Sequence, residues 1–176
     1  MSNLICICAG HDFEHPGVAV GEFKEEIMAT KLRDRIYHAL VDMGATVIRD
    51  GEDGQNFPLY QAIRLANKAD LAIDLHFNAS SNTTATGIEA LCHTDKKEDA
   101  KKLCKAIKDT LGLHLRGEEG WKPTDSGHHS KLGFCEVEGI VLEVCFLTNP
   151  LDRQSYLTNK LQVASKLAET IYQLTK

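Results

Sequence analysis

The chain contains no apolar segment long enough to cross a bilayer, and its first apolar run, Leu4–Ala9, covers only six residues. No basic segment precedes that run and a histidine, His11, follows it closely, so it does not have the pattern of a signal peptide. The sequence therefore predicts a protein without stable membrane insertion that is located in the cytoplasm after synthesis.

Runs of basic residues are also missing. The chain has 20 Lys and Arg residues against 25 Asp and Glu residues, a formal net charge of -5. Nucleic-acid binding depends on cations that follow the phosphate backbone, so we expect no nucleic-acid partner. Neither a G-x-G-x-x-G pattern nor a Gly-Lys-Ser/Thr phosphate loop follows the first apolar run, which makes a nucleotide-binding protein the weakest alternative.

The six cysteines include no C-x-x-C pair, which argues against a zinc knuckle or a disulfide framework. Most of them lie inside apolar runs. We therefore expect free thiols that act as small core residues in a reducing compartment.

The length of 176 residues matches one domain, since domains commonly have about 100 to 200 residues. With 43% hydrophobic and 26% charged residues, the composition is that of an ordinary globular protein. We expect residues 1–176 to form a single domain, without a separate binding domain and as a monomer.

Short apolar runs alternate with segments of helical periodicity. Strands are predicted over 4–9, 45–48, 70–76, 88–93 and 140–144, helices over 22–41, 58–68, 95–113 and 152–174, and an irregular stretch over 112–133. This alternation predicts an α/β fold with a mostly parallel twisted sheet and helices on both faces.

Three polar residues lie at or near the ends of predicted strands. His11 follows the first, His76 ends the third, and Glu143 lies near the end of the last. Ligands of open α/β sheets bind at the carboxyl ends of strands, where imidazole and carboxylate groups together can hold zinc. Taken singly, a histidine at a strand end is more often a residue with a structural hydrogen bond than a metal ligand.

Glu25 shares the apolar stripe of the first predicted helix, because it lies three residues before Met28 and seven before Leu32. A carboxylate on that face points inward, and a divalent cation would compensate its charge. Two alternatives stay open on spacing alone. Glu22 competes for the inward position, and Glu25 could instead interact with the helix dipole.

The sequence resembles the zinc-dependent N-acetylmuramoyl-L-alanine amidases, the type 3 amidases of bacterial autolysins and phage endolysins, over nearly its whole length. The matching segments are Gly10-His11, Pro16-Gly17, Glu25, Arg64 to Asn67, Leu75-His76-Phe77-Asn78-Ala79, Gly87-Ile88-Glu89, Arg116-Gly117 and Leu142 to Asn149. Two departures occur. Asp74 stands where a serine is common, and Cys145 replaces a glycine. We expect neither to touch a proposed ligand.

The resemblance implies that His11, Glu25 and His76 bind Zn²⁺ and that Glu143 is the catalytic carboxylate. Three protein ligands leave a position for water, as is typical of catalytic zinc. The reaction implied is hydrolysis of the amide between N-acetylmuramic acid and L-alanine in peptidoglycan. Four further residues are candidates for substrate contact: Asn78, Arg116, Trp121 and His129.

Each of these four has an alternative role. Asn78 could orient His76 or satisfy a turn, Arg116 could be a surface charge, Trp121 could cap the core, and His129, like its neighbour His128, could be a solvated loop residue. For the whole chain, the alternatives are a peptidase of the stem peptide and a non-catalytic wall-binding domain. The missing export signal favours a phage-type endolysin that degrades the host cell wall and needs a holin for access to it.

Overall fold

The computed structural model describes residues 3–126 and 132–176. The strands in this part of the chain are β1 Leu4–Ala9, β2 Ala19–Val20, β3 Phe23–Lys24, β4 Thr46–Arg49, β5 Leu71–Asn78, β6 Glu89–Leu91, β7 Trp121–Lys122 and β8 Ile140–Phe146. The α-helices are α1 Glu25–Asp42, α2 Leu59–Ala66, α3 Lys97–Leu111 and α4 Pro150–Leu174.

Six strands form one mixed sheet in the order β4-β1-β5-β8-β6-β7, and β2 pairs with β3 in a small hairpin. Strands β4, β1, β5 and β8 are mutually parallel, whereas β6 runs antiparallel to β8. The predicted α/β fold with a mostly parallel sheet is confirmed. Because β1, β5 and β8 are parallel, their carboxyl ends lie at one edge.

Helices cover both faces of the sheet, as predicted. The larger core lies between one face and helices α1, α3 and α4, and includes Leu32, Leu103 and Leu167. The smaller core lies under α2 and the short 3-10 turn Cys135–Val137. All six cysteines are buried and free, which confirms their expected role as small core residues.

The boundary of α1 differs from its prediction. The helix begins at Glu25 and not at Glu22, because residues 19–24 form the β2–β3 hairpin with its turn at Gly21-Glu22. Glu22 is exposed in that turn, whereas Glu25 is buried at the first helical position.

Helix α4 begins two residues earlier than predicted. The Asn149 side chain accepts hydrogen bonds from the backbone of Leu151 and Asp152, and Pro150 occupies the first turn. Both features favour a helix start.

The stretch 112–133 is less irregular than predicted, because Trp121 and Lys122 form the edge strand β7. Strand β5 runs two residues past His76, with an irregularity between His76 and Asn78 in its pairing with β8. Such bulges occur next to active sites, where they redirect a side chain. No helix among the described residues is both long and apolar enough to span a membrane.

Candidate active site

Two histidines and a glutamate meet at the carboxyl edge of the parallel strands. His11 Nε2 lies 3.2 Å from Glu25 Oε2, and His76 Nδ1 lies 3.1 Å from Glu25 Oε1. One potential ligand atom from each of the three residues lies within 4.8 Å of the other two. Within residues 3–126 and 132–176, no other set of three or more His, Cys, Asp or Glu residues has this spacing. Two imidazoles and one carboxylate at this spacing form a donor set suited to zinc.

The Glu25 carboxylate is fixed by the backbone around it. Its two oxygens accept hydrogen bonds from the backbone N–H groups of Val18, at 3.1 Å, and Phe77, at 3.0 Å. Burial by itself would raise the pKa of Glu25, but the hydrogen bonds and charges of His11 and His76 outweigh it and hold this pKa well below its usual range. Glu25 is therefore an anion that two imidazoles share.

Two glycines leave the space that this group needs. A Cβ atom at Gly10 would overlap the His76 ring, and one at Gly17 would overlap Glu25 and His11. Gly17 also has a positive φ of 67°, which favours glycine. The Gly-His and Pro-Gly pairs of the sequence therefore reflect close approach of the backbone to the three side chains.

His11 has a φ of 70°, a backbone conformation that costs energy for a residue with a Cβ atom. Asn56 holds it there, because its side-chain amide donates hydrogen bonds to the carbonyl oxygens of Ala9 and His11. Asn56 in turn accepts a hydrogen bond from Arg33, a wholly buried residue that is also paired with Asp50. These hydrogen bonds were not predicted from the sequence, since neither Asn56 nor Arg33 belongs to a recognisable pattern.

Asp74 lies in direct contact with His76. Its Oδ2 lies 3.1 Å from His76 Nε2, so the expectation that this departure touches no proposed ligand was wrong. Asp74 and His76 are two residues apart on β5, and alternation places their side chains on the same face. The other oxygen, Asp74 Oδ1, is buried without a hydrogen-bond partner.

His76 therefore lies between two carboxylates. Burial opposes its protonation, but the negative charges and hydrogen bonds of Asp74 and Glu25 prevail and raise the His76 pKa well above its usual value. The available signal for Asp74 was a charged residue inside the apolar run Leu-Ala-Ile-Asp-Leu.

Glu143 lies beside this group on the neighbouring strand. In the parallel pairing of β5 with β8 it is the direct partner of His76, and its Oε2 is buried without a hydrogen-bond partner. Burial raises the pKa of Glu143 to about 7, against the opposing effect of His76. A carboxylate with a free oxygen and a raised pKa is suited to accept and release a proton.

A cleft of about 580 Å³ opens over these residues. Its lining includes His11, Glu25, Asp74, His76, Asn78, Glu89, Leu91, Lys122, Val141 and Glu143. Among the predicted substrate contacts, Asn78 faces this cleft. Its side-chain amide donates to Glu89 at 2.9 Å, and no hydrogen bond to His76 occurs.

Two further predicted substrate contacts, Arg116 and Trp121, do not line this cleft. The Arg116 guanidinium forms a salt bridge with the Glu89 carboxylate and lies 4.9 Å from the centre of the Phe146 ring. The Trp121 indole donates to the Cys92 carbonyl and packs against the larger core, which supports the core-capping alternative. His129 and His128 lie outside the described residues.

Comparison with known proteins gives a consistent result. Residues 5–173 match the family model described as N-acetylmuramoyl-L-alanine amidase. A solved structure from Neisseria meningitidis, provisionally assigned as such an amidase, is 38% identical with a TM-score of 0.91, covering 98% of this chain and 95% of that chain. No match was found among curated proteins.

Two more distant structures share the fold. The catalytic domain of the amidase CwlV from Bacillus (Paenibacillus) polymyxa is 22% identical with a TM-score of 0.82, and the match covers 99% of both chains. The catalytic domain of the CD27L endolysin, which targets Clostridia difficile, is 23% identical with a TM-score of 0.70, covering 97% of both. The family match over residues 5–173 is decisive, and this chain belongs to the N-acetylmuramoyl-L-alanine amidase family.

Proposed function

We propose that this protein is a zinc-dependent hydrolase that cleaves the amide between the lactyl group of N-acetylmuramic acid and L-alanine in peptidoglycan. The observation that carries the proposal is the meeting of His11, Glu25 and His76 directly beside Glu143 at one edge of the sheet. Family membership supports the same substrate.

The donor set fits a catalytic zinc ion. It offers two imidazoles, which bind a metal through a deprotonated ring nitrogen, and one carboxylate, and all three side chains face the open cleft. A zinc ion held by these residues supplies Lewis-acid polarisation and makes water a stronger nucleophile near neutral pH.

Glu143 performs the proton transfers. It accepts a proton from the water as the new C–O bond forms, and it then delivers this proton to the nitrogen of the leaving L-alanine as the C–N bond breaks. Its unpartnered Oε2 is free to accept that proton. Glu25 and the two histidines would hold the zinc ion beside Glu143.

Digestion of purified peptidoglycan tests the proposal. We expect the protein to release peptides with N-terminal alanine and to leave glycan strands with intact muramic acid. Release of amines from other residues would instead identify a peptidase of the stem peptide. If dialysis against a chelator leaves the activity unchanged, zinc dependence is excluded.

For the biological role, we propose a phage-type endolysin that accumulates in the cytoplasm and reaches the wall through a holin. The six buried free thiols support a reducing compartment for the folded protein. Cells that express the protein are expected to lyse only when a holin is produced with it. Lysis at the same rate without the holin would contradict this role.

Asp74→Asn tests how His76 is held. The Asp74 carboxylate accepts a hydrogen bond from His76 Nε2–H, which leaves Nδ1, the nitrogen that faces Glu25, to bind the proposed metal once it has lost its proton. We expect the zinc dissociation constant to rise about 10- to 100-fold, as measured by competition with a chromogenic chelator.

The metal-free variant should remain folded with a cooperative thermal transition, because asparagine keeps the shape of Asp74 although the charge pairing with His76 is lost. Weaker zinc binding in a variant that still folds would show that Asp74 positions His76 and is not simply required for the stability of the fold. Asp109→Asn, on the exposed side of α3, is the matched control and should leave zinc affinity unchanged. An Asp74→Asn variant with wild-type zinc affinity would refute the assignment.

A further inference from the structure

The charges that line the cleft are unequal. Within the described part of the chain, four carboxylates face it, those of Glu25, Asp74, Glu89 and Glu143, and a single ammonium group, that of Lys122. These carboxylates repel an anionic substrate, so apart from the proposed metal site a substrate carboxylate has one favourable position in the cleft, next to Lys122.

Strand pairing explains how Lys122 enters the cleft. In β7, Trp121 is paired with Ala90 and Lys122 with Leu91 of the parallel strand β6. Successive side chains alternate between the two faces of a sheet, so Trp121 packs on the larger core and Lys122 emerges on the opposite face. Glu89 emerges on the same face, where it is paired across β6 and β8 with Glu143.

Glu89 holds the Lys122 ammonium in place. Lys122 Nζ lies 2.8 Å from Glu89 Oε2, and the Glu89 carboxylate is fixed further by Asn78 and Arg116. Glu89 is buried, whereas 26% of the Lys122 side chain is exposed. An ammonium group has three protons, and the contact with Glu89 uses one of them. The others remain available to a ligand in the cleft.

The distance between Lys122 and Glu143 fits the length of a short bound peptide. Strand β7 is two strands away from β8, and Lys122 is aligned through Leu91 with Val141, two residues before Glu143, so the Lys122 backbone lies roughly 12 Å from that of Glu143 at the usual strand spacing and rise. An extended peptide spans about 3.3–3.6 Å per residue. Because the lysine side chain covers part of the distance, the carboxylate that it reaches belongs to the second or third residue beyond the scissile bond.

The chemistry of the substrate indicates on which side of the scissile bond the bound carboxylate lies. This step rests on the proposed function. The lactyl carboxyl of muramic acid is consumed in the scissile amide, so the glycan side offers no free carboxylate there. Carboxylates next to the cleaved bond therefore belong to the peptide side. We infer that Lys122 binds a carboxylate of the stem peptide and selects acidic stems over their amidated forms.

A pair of synthetic N-acetylmuramoyl dipeptides tests this inference. The two substrates differ only in their second residue, which carries a carboxylate in one and a carboxamide in the other. Wild-type protein should cleave the carboxylate form with a kcat/KM about 10- to 100-fold higher, as expected for a hydrogen bond to a charged group. Lys122→Met should lose this preference by slowing only the carboxylate form, and Lys122→Arg should retain part of it.

Lys105→Met is the matched control, because Lys105 lies on the exposed side of α3 and pairs with Asp109. It should behave as wild type on both substrates. Zinc content and thermal unfolding of each variant confirm that the site and the fold are intact.

The outcomes separate the two proposals. Equal cleavage of both substrates by wild-type protein, or an equal loss on both in Lys122→Met, would overturn the inference about Lys122 and leave the amidase proposal standing. Failure of wild-type protein to cleave either substrate or purified peptidoglycan would overturn the proposed function, and the inference with it.

Discussion

Glu143→Gln is expected to reduce kcat by about 100- to 10,000-fold while the protein keeps its zinc, since general acid–base groups contribute rate factors of this size. Glutamine has the shape of glutamate but cannot accept and return the proton. Glu143 is not one of the three grouped donors, so its replacement leaves them in place. Turnover with a soluble muramoyl peptide and zinc content should be measured on the same sample.

Glu136→Gln is the control for this substitution, because Glu136 is exposed on the 3-10 turn Cys135–Val137 of the same region. It should retain wild-type turnover. Full activity of Glu143→Gln would remove Glu143 from the mechanism, and loss of zinc from that variant would show that it is a ligand.

His76→Ala is expected to abolish both zinc binding and activity. The substitution removes one of three donors and leaves Glu25 with a single imidazole neighbour, His11. Elemental analysis after dialysis should find about one equivalent of zinc in wild-type protein and nearly none in the variant, since a catalytic site needs its three protein ligands.

The control is His93→Ala, which removes an exposed histidine that caps no helix through its side chain. It should bind zinc as wild type does. An His76→Ala protein with undiminished zinc would show that the ligand set is wrong. Together, His76→Ala and Glu143→Gln distinguish the residues that hold the metal from the residue that moves the proton.

Sequence reasoning predicted the fold well where patterns are local and strong. The apolar runs of β1, β5 and β8 gave the parallel strands, and their parallel order brought His11, His76 and Glu143 to one edge. The choice between Glu22 and Glu25 needed more than spacing, since both positions are compatible with the inward face of a helix. The hairpin over residues 19–24 decides it by moving the helix start to Glu25.

The missed features depend on tertiary contacts. Lys122 belongs to a strand of only two residues, too short to give a pattern, and its direction is set by pairing with β6. Asn56 lies in a loop and contacts His11 across 45 residues of sequence. Asp74 was visible as a charge in an apolar run, but its contact with His76 follows from the alternation of side chains on β5.

The order of the sheet divides the site between two parts of the chain. Residues 11–76 contribute the three grouped donors, whereas residues 89–143 contribute Glu89, Lys122 and Glu143. The antiparallel strand β6 and the edge strand β7 lie at one side of the sheet, and β7 is paired only with β6. The sequence of an edge strand can therefore change while the other strands keep their pairing. A chimera with a foreign β7 segment is therefore expected to change substrate preference while its metal affinity stays the same.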